Sequence, residues 1–388
     1  MAQHPGRILT THTGSLPRPK DLFDMMLARD RGEPCDEAAL QARIVSATAE
    51  VVKRQVEAGI DVVSDGEYSK TSYTAYVKDR LTGFDGEPLQ TSRATLDQEE
   101  FPDFSRELGN QVFTPSCNGP VSLKDASAVR RDISNLQAAL KGVNHADAFM
   151  TAPSPGQIAR FMPSTYYTND EEYLYALAGG MQDEYQAIVG AGFVLQLDCP
   201  DLASGRANQF ADLTLEQFKQ VAALHIEVLN HAIEGLPEDR LRLHLCWGNY
   251  EGPHNRDVAL RDIIDLVLQA HVGAFLFEAA NPRHAHEWKM WREVALPQTK
   301  AVIPGVIDSC TNYIEHPELV AERLVNFAGV VGRERVMAGT DCGFGTALGV
   351  RKVAPSIAWA KLQSMAEGAR LASQELWHSS PSAEGEAG

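Results

Sequence analysis

Long apolar runs and an excess of positive charge are both absent from this chain of 388 residues. No stretch of about 18 apolar residues could cross a bilayer, and no positively charged, apolar leader opens the sequence. With 35 Lys and Arg against 52 Asp and Glu, the net charge is −17, which argues against nucleic acid and anionic membranes as partners. We expect a cytoplasmic protein, and a homo-oligomer is compatible with the sequence.

Cysteine is scarce, and its spacing excludes a disulfide framework. In a reducing cytosol such cysteines serve metal sites or cores. Hydrophobic residues at 44% and charged residues at 22% are ordinary for a globular protein with a large core. The six cysteines are Cys35, Cys117, Cys199, Cys246, Cys310 and Cys342.

Strand-like apolar runs alternate with helical patterns along the chain, which is typical of a parallel sheet with crossover helices. One helical pattern begins at an acidic cap, Asp36, and closes on Gly59, and a later one stops at Gly332. Strand followed by helix, eight times, predicts an α/β fold of the (β/α)8 TIM-barrel type. The eight candidate strands are RILTTHTGS, IDVVSDGE, DAFMTAPSP, FVLQLDCPD, LRLHLCW, AFLFEAA, AVIPGVIDS and RVMAGTDCG.

One region interrupts this alternation. Residues from about 73 to 143 are too many for a simple loop, and we expect a helical and hairpin insertion over the barrel mouth. Residues 1–377 are predicted to form one catalytic barrel domain, and residues 378–388 have the composition of a disordered tail.

Four polar side chains stand at the ends of apolar runs and form a candidate metal site. His244 and Cys246 are two apart in LRLHLC, so both leave one face of a strand, while Glu278 ends AFLFE and Cys342 follows RVMAGTD. Two thiolates, an imidazole and a carboxylate suit tetrahedral Zn²⁺ better than Mg²⁺ or Ca²⁺. Each residue alone is more simply a core residue, but four strand ends meeting at one face of a barrel predict zinc.

The same residues carry a resemblance to a known family. LHLC, FLFE and GTDCG, with TTHTGSLPRP, VVSDGE and LQLDCPDLA, resemble the catalytic domain of cobalamin-independent methionine synthase, in the same order from about Leu9 to Leu371. The resemblance implies that His244, Cys246, Glu278 and Cys342 are zinc ligands. Zn²⁺ converts a bound thiol, whose pKa is about 8.5 when free, into a thiolate at neutral pH.

Three further positions match residues that hold the amino and carboxylate groups of homocysteine in that family. These are Ser15, Glu67 and Asp198, and two acids with a hydroxyl suit an ammonium group. The alternative is that Glu67 and Asp198 cap the helices that follow their strands. In the loop after the zinc ligands, Trp247 and Tyr250 could form an aromatic wall, which ordinary loop packing explains equally well.

The sequence also departs from the family at the expected catalytic residues. Asp308 is kept, but Cys310 stands where the family has a catalytic histidine, and APSPGQIARF lacks the tryptophan on which folate stacks. His12, at the first strand end, could supply the missing proton, or it could be hydrogen-bonded to loop backbone. These departures disfavour methyl-folate as the donor. They make the chain similar to short relatives, including the epoxyalkane:coenzyme M transferases.

We interpret the chain as an enzyme that transfers an alkyl group, with methyl favoured, to a small thiol such as homocysteine through a zinc-bound thiolate. This is the chemistry of methionine biosynthesis, and its partners are a small-molecule thiol and an alkyl donor. One alternative is an epoxide or other alkyl donor with a thiol resembling coenzyme M. Another is a zinc- or thiol-binding relative without catalytic activity.

Overall fold

A parallel sheet dominates the computed structural model, which describes residues 6–90, 95–104, 113–347 and 353–378. The strands are β1 (Val62–Ser64), β2 (Pro88–Gln90), β3 (Phe113–Pro115), β4 (Asp147–Pro153), β5 (Val194–Asp198), β6 (Leu241–Leu245), β7 (Ala274–Glu278), β8 (Ala301–Ile307) and β9 (Gly339–Thr340). Seven of them form one parallel sheet in the order β1, β4, β5, β6, β7, β8, β9. Strands β2 and β3 pair separately as an antiparallel hairpin.

The segment around Thr10 closes this sheet into a barrel. On one side, the carbonyl of Thr10 accepts a hydrogen bond from Val62 N at 3.0 Å. On the other side, Thr11 N donates to the Ala338 carbonyl, and Ala338 N donates to the Leu9 carbonyl, both at 2.8 Å. The first apolar run of the chain therefore forms the eighth member of the barrel wall, between β1 and β9. The predicted (β/α)8 barrel is confirmed.

Helices connect the strands, most of them on the outside of the barrel. They are α1 (Lys20–Asp30), α2 (Glu37–Glu57), α3 (Leu96–Glu100), α4 (Ser127–Ala139), α5 (Pro155–Phe161), α6 (Asp170–Gly190), α7 (Leu215–Ala232), α8 (Leu260–Val267), α9 (Pro317–Val331) and α10 (Pro355–His378). Among the described residues, no helix combines the length and the apolar character that crossing a lipid bilayer requires.

Local signals in the sequence set several helix ends. Asp36 caps α2, because its carboxylate accepts a hydrogen bond from Ala39 N at 3.0 Å. The chain leaves α2 through Gly59 at φ +85°, and it leaves α9 through Gly332 at φ +96°. A side chain disfavours these left-handed conformations, which is why glycine ends both helices.

The connection from β7 to β8 departs from the predicted alternation of strands and helices. Instead of an α-helix it contains a 3₁₀ helix, Glu287–Arg292. Its Met290 and Trp291 are buried, and the Trp291 ring packs against Phe277 at 6.1 Å between centroids. Two bulky side chains thus cover the outside of β7, where the other connections use a helix.

The barrel interior is apolar at one level and polar above it. Its apolar side chains are Leu9, Val62, Phe149, Val194, Ala274, Leu276, Ala301, Ile303 and Met337. Arg242 lies over the Phe149 ring at 3.7 Å, fully buried, and its guanidinium donates to Gln196, Thr11 and the His12 carbonyl at 2.9–3.0 Å. Since side chains alternate along a strand, His244 leaves the same face of β6 one layer nearer the carboxyl ends.

The region predicted as an insertion has two parts with different roles. Helix α4 packs against α2 and α6, so it belongs to the outer ring of helices. Helix α3 instead contacts the loop after β6, where the Asp97 carboxylate accepts from the Tyr250 hydroxyl and from Arg256 N, both at 3.0 Å. Of the two described α-helices of this region, α3 therefore lies at the mouth and α4 does not. In the predicted tail, His378 ends α10, and residues 379–388 lie outside the described residues.

Replacing Asp61, whose carboxylate holds the segment around Thr10, should weaken the fold. Asp61 accepts hydrogen bonds from Thr10 N and the Thr10 hydroxyl at 3.0 and 3.1 Å. We expect Asp61→Ala to lower the free energy of unfolding by about 1–2 kcal/mol, because Thr10 loses these partners. Urea denaturation measures the change. An unaltered midpoint would show that the barrel closes without this contact.

Candidate metal centre and substrate cavity

Three of the four predicted metal ligands meet at the carboxyl end of the barrel. His244 lies at the end of β6, Cys246 follows β6 directly, and Cys342 lies two residues beyond β9. Their potential ligand atoms all lie within 4.8 Å of one another. All three side chains are buried, at 2%, 4% and 7% exposure. We call these three residues the metal cluster.

The imidazole of His244 is the least satisfied group of the cluster. Among the described residues, neither of its ring nitrogens has a hydrogen-bond partner, although both are inaccessible to water. Leaving buried polar atoms unsatisfied costs about 1–3 kcal/mol for each group. A ring nitrogen that faces two cysteine sulfurs would be satisfied by a metal ion, so the residues present fit such an ion.

The two thiols influence each other's ionisation strongly. A hydrogen bond from Cys342 holds the pKa of Cys246 well below its usual value, despite burial, and His244 acts in the same direction. The same contact with Cys246 raises the pKa of the Cys342 thiol well above its usual value, and burial adds to the effect.

Glu278, the fourth predicted ligand, lies at the end of β7 but outside this group of three. Its Oε1 accepts from Trp247 N at 2.8 Å, and its Oε2 accepts from the Asn281 side chain at 2.9 Å. Burial and the charge of Cys246 raise the pKa of Glu278 to about 7. The carboxylate is thus held beside the metal cluster by its own neighbours.

Asp341, next to the cluster residue Cys342, organises the loop that follows Glu278. Its two carboxylate oxygens accept from the backbone N–H groups of Ala279, Ala280 and Asn281 at 2.7–2.9 Å. These bonds tie the end of β9 to the end of β7. No role was predicted for Asp341 from the sequence, although its place in the GTDCG motif was a signal for one.

The three predicted substrate-binding residues are buried near the cluster. The Ser15 hydroxyl accepts from Gly345 N at 3.3 Å, and Glu67 accepts from the Thr151 hydroxyl at 2.8 Å through Oε1. The other oxygen of Glu67 is buried without a hydrogen-bond partner among the described residues. Burial, opposed by His244 and reinforced by Glu67, raises the pKa of Asp198 to about 7. Two close acids with an unused oxygen suit a cationic group.

Glu67 also adopts a backbone conformation that is rare outside glycine. Its φ is +61°, and its N–H donates to the Asp65 side chain at 2.9 Å. Gly14 lies against it, since a Cβ at Gly14 would come within 2.7 Å of Glu67 Oε1. Strained residues of this kind concentrate at functional sites.

His12 is placed inside the barrel with both ring nitrogens engaged. Nε2 lies 2.7 Å from Gln55 Oε1, and Nδ1 accepts from Gly14 N at 3.1 Å. Burial lowers the pKa of His12 to about 3, so the ring is neutral. The predicted role of His12 as a proton donor stays a prediction, and in this arrangement it has no proton directed at the cavity.

Asp308 and Cys310 line a cavity of about 480 Å³, together with Glu278 and Cys342. The Asp308 carboxylate accepts from Cys310 N at 3.1 Å and from Thr311 N at 2.7 Å. The Cys310 thiol donates to the Asn249 side-chain oxygen at 3.0 Å. Both residues therefore border the cavity beside the metal cluster, and their catalytic roles stay predictions.

A second cluster, formed by His254, Asp257 and His284, packs against Trp247 next to the metal cluster. It was not predicted from the sequence. His284 places one ring nitrogen 3.0 Å from Asp257 and the other 2.9 Å from Glu287. His254 lies 2.7 Å from the same Asp257 oxygen. The His284 ring stacks on Trp247 at 3.7 Å, and these carboxylates raise the pKa of His284 to about 9 despite burial.

Comparisons with known proteins agree with this architecture. A family model described as the catalytic domain of cobalamin-independent synthase matches residues 8–94. The chain is 26% identical over 371 residues to a methionine synthase of Saccharolobus islandicus, covering 95% of each chain. It is also 26% identical over 373 residues to a methionine synthase of Sulfolobus acidocaldarius, covering 95% of this chain and 93% of the other.

Solved structures show the same fold. A B12-independent methionine synthase from Shewanella sp. W3-18-1, in complex with selenomethionine, has a TM-score of 0.71 at 20% identity and covers 95% of this chain and 99% of that chain. A putative vitamin-B12 independent methionine synthase from Listeria monocytogenes has a TM-score of 0.66 at 20% identity, with 94% and 98% covered. The chain thus resembles the catalytic domain of cobalamin-independent methionine synthase over nearly its whole length, and the resemblance predicted from its motifs is confirmed.

Proposed function

We propose that this protein is a methyltransferase that methylates the sulfur of a small aminothiol such as homocysteine, beside a zinc ion at the barrel mouth. The observation that carries the proposal is the buried, unsatisfied imidazole of His244 beside the sulfurs of Cys246 and Cys342. The likeness to methionine synthases supports the same class of reaction. A reducing cytoplasm, as the sequence predicts, would keep these cysteines as thiols.

The donor set supports zinc as the metal. Two sulfurs and an imidazole suit Zn²⁺, and the oxygen-seeking ions Mg²⁺ and Ca²⁺ are disfavoured. His244, Cys246 and Cys342 would hold the ion, and Glu278 is the proposed fourth protein ligand. Bound there, Zn²⁺ would keep a substrate thiol deprotonated at neutral pH.

The acids at the mouth support an aminothiol over a sulfonate-bearing thiol. Glu67 and Asp198 are buried, and one oxygen of Glu67 has no partner among the described residues. An ammonium group would satisfy that oxygen and would relieve the repulsion between the two acids. A sulfonate, as in coenzyme M, would add a third negative charge. The geometry therefore favours the homocysteine-type acceptor of the two alternatives.

The metal assignment predicts that the two cavity cysteines differ sharply. Cys342→Ser should remove most of the bound zinc, because the cluster loses a thiolate, whereas the barrel should stay folded. Cys310→Ser is the matched control, since Cys310 borders the same cavity outside the metal cluster, and it should retain zinc. Metal analysis of the purified variants, with circular dichroism for folding, measures both. Equal zinc content in the two variants would refute the ligand assignment.

The aminothiol assignment predicts a specific loss of selectivity in Glu67→Gln. Its KM for homocysteine should rise by about tenfold to a hundredfold, because a charge-assisted hydrogen bond to the ammonium group is lost. The KM for 4-mercaptobutyrate, which lacks that group, should change little. Methyl iodide can serve as donor in both assays, since it needs no binding site of its own. A variant that still preferred homocysteine to the same degree would contradict the role of Glu67.

The same methyl iodide assay tests the function itself. The wild-type protein loaded with zinc should methylate homocysteine much faster than the metal-free protein does. A protein that binds zinc tightly and methylates no thiol would instead support a zinc- or thiol-binding role without catalysis.

A further inference from the structure

We propose that the methyl donor is an onium compound, a sulfonium or quaternary ammonium ion, bound in the cavity between the metal cluster and Tyr313. The inference rests on the proposed thiol methylation and names the class of its second substrate. Two features of the cavity carry it: the predominance of carboxyl groups in its walls and the apolar character of its rim.

Carboxyl groups predominate among the ionisable side chains of the cavity walls. Arg323 contributes the guanidinium on the cavity wall, and that group donates to the Val306 carbonyl at 2.9 Å. Nothing else among the described lining residues is a lysine or an arginine. The carboxylates that border the cavity are those of Glu251, Glu278, Asp308, Glu315 and Asp341.

Most of these carboxylates already have partners inside the protein. Glu315 is paired with the buried Lys361 at 2.9 Å, and Asp341 accepts from three backbone N–H groups. Glu251 differs, because it is exposed and has no hydrogen bond or ion pair within the described part of the chain. Its negative charge is available to a ligand, and a cation is the ligand that it would attract.

The rim of the cavity is aromatic and aliphatic. Tyr313, Ile314 and Leu319 all line the cavity, and they are 79%, 52% and 41% exposed. An onium group presents methyl groups that carry a diffuse positive charge, so it binds well to an aromatic face with apolar neighbours. A rim of this kind, in a cavity that also contains the unpaired carboxylate of Glu251, matches both the apolar methyl groups and the positive charge of an onium compound.

The histidine that the resemblance leads us to expect as an acid is absent from this cavity. A methylated amine of the folate type must be protonated as it leaves, which requires a positioned acid. Here the histidine expected from the family is Cys310, whose thiol donates to Asn249, and both ring nitrogens of His12 are engaged. The ring nitrogens of His254 face Asp257 and the Tyr250 carbonyl. An onium donor needs no such acid.

The reaction balances without any further reactant. The thiolate sulfur forms a bond to the methyl carbon, and the bond between that carbon and the donor's positive sulfur or nitrogen breaks. The bonding electrons stay on the donor atom, which leaves as a neutral sulfide or tertiary amine. The thiol proton has already gone to solvent when the thiolate forms, so nothing is oxidised or reduced.

Binding of a matched pair of probes tests the proposal apart from turnover. Choline and 3,3-dimethylbutan-1-ol have the same shape, and only choline is charged. Calorimetry with the zinc-loaded protein should show choline binding about tenfold more tightly or better, given its attraction to the carboxylate and the aromatic ring. Equal or weaker binding of choline would overturn the proposal.

Variants of two cavity residues then test whether choline binds in this cavity. Glu251→Gln and Tyr313→Leu should each reduce the preference for choline over its neutral analogue by about threefold to tenfold. Glu216→Gln is the matched control, because Glu216 lies in the first turn of α7 with its side chain 80% exposed, and it changes the net charge equally. A loss of preference in the control alone, or in none of the three variants, would contradict the placement.

Turnover separates this inference from the function on which it rests. With homocysteine as acceptor, S-methylmethionine, dimethylsulfoniopropionate and glycine betaine are compared with 5-methyltetrahydrofolate, methylcobalamin and methyl iodide. We expect methyl iodide and at least one onium compound to react. If methyl iodide reacts and no onium compound does, the donor inference fails while the thiol methylation stands. If methyl iodide does not react either, both fail.

Discussion

A single unsatisfied imidazole links the fold to the chemistry. His244 is buried at the carboxyl end of β6, where the alternation of side chains directs it into the barrel above Arg242, and neither ring nitrogen has a partner among the described residues. A protein interior tolerates such a group only at a cost. A cation that binds both nitrogen and sulfur, held between this imidazole and the neighbouring cysteine sulfurs, would remove that cost. Every functional assignment made for the barrel mouth depends on this arrangement.

Trp247 and His284 hold the residues next to the metal cluster in fixed orientations. Trp247 follows Cys246 directly, donates its backbone N–H to Glu278, and stacks its indole on His284. Because both ring nitrogens of His284 face carboxylates, the ring is held in one plane, and the indole is held with it. A group that orients a ligand through such contacts tunes a site as strongly as the ligand itself. Here Asp257 orients His284, and His284 orients Trp247. The backbone N–H of Trp247 in turn orients the carboxylate of Glu278.

Strand periodicity and end signals predicted the barrel and the convergence of three candidate ligands at its mouth, because both depend on local properties of the sequence. The capped helix from Asp36 to Gly59 and the same-face pair His244 and Cys246 follow from spacing alone. The orientation of Glu278 could not be predicted, since it depends on two hydrogen bonds from a loop and a neighbouring strand end. Likewise, the partner of His12 comes from a helix 43 residues away, and only the folded chain shows it.

The charges at the two proposed substrate sites favour a reaction in which charge disappears. Attack of a thiolate on an onium carbon turns an anion and a cation into two neutral molecules, so the transition state carries less charge than the reactants. Such a reaction gains from removal from water, because the charged reactants lose more solvation than the transition state does. The products also lose the attraction that held the donor beside Glu251, which favours their release. A partly apolar cavity lined mainly by carboxyl groups suits this charge-cancelling transfer better than it suits a donor without a positive charge.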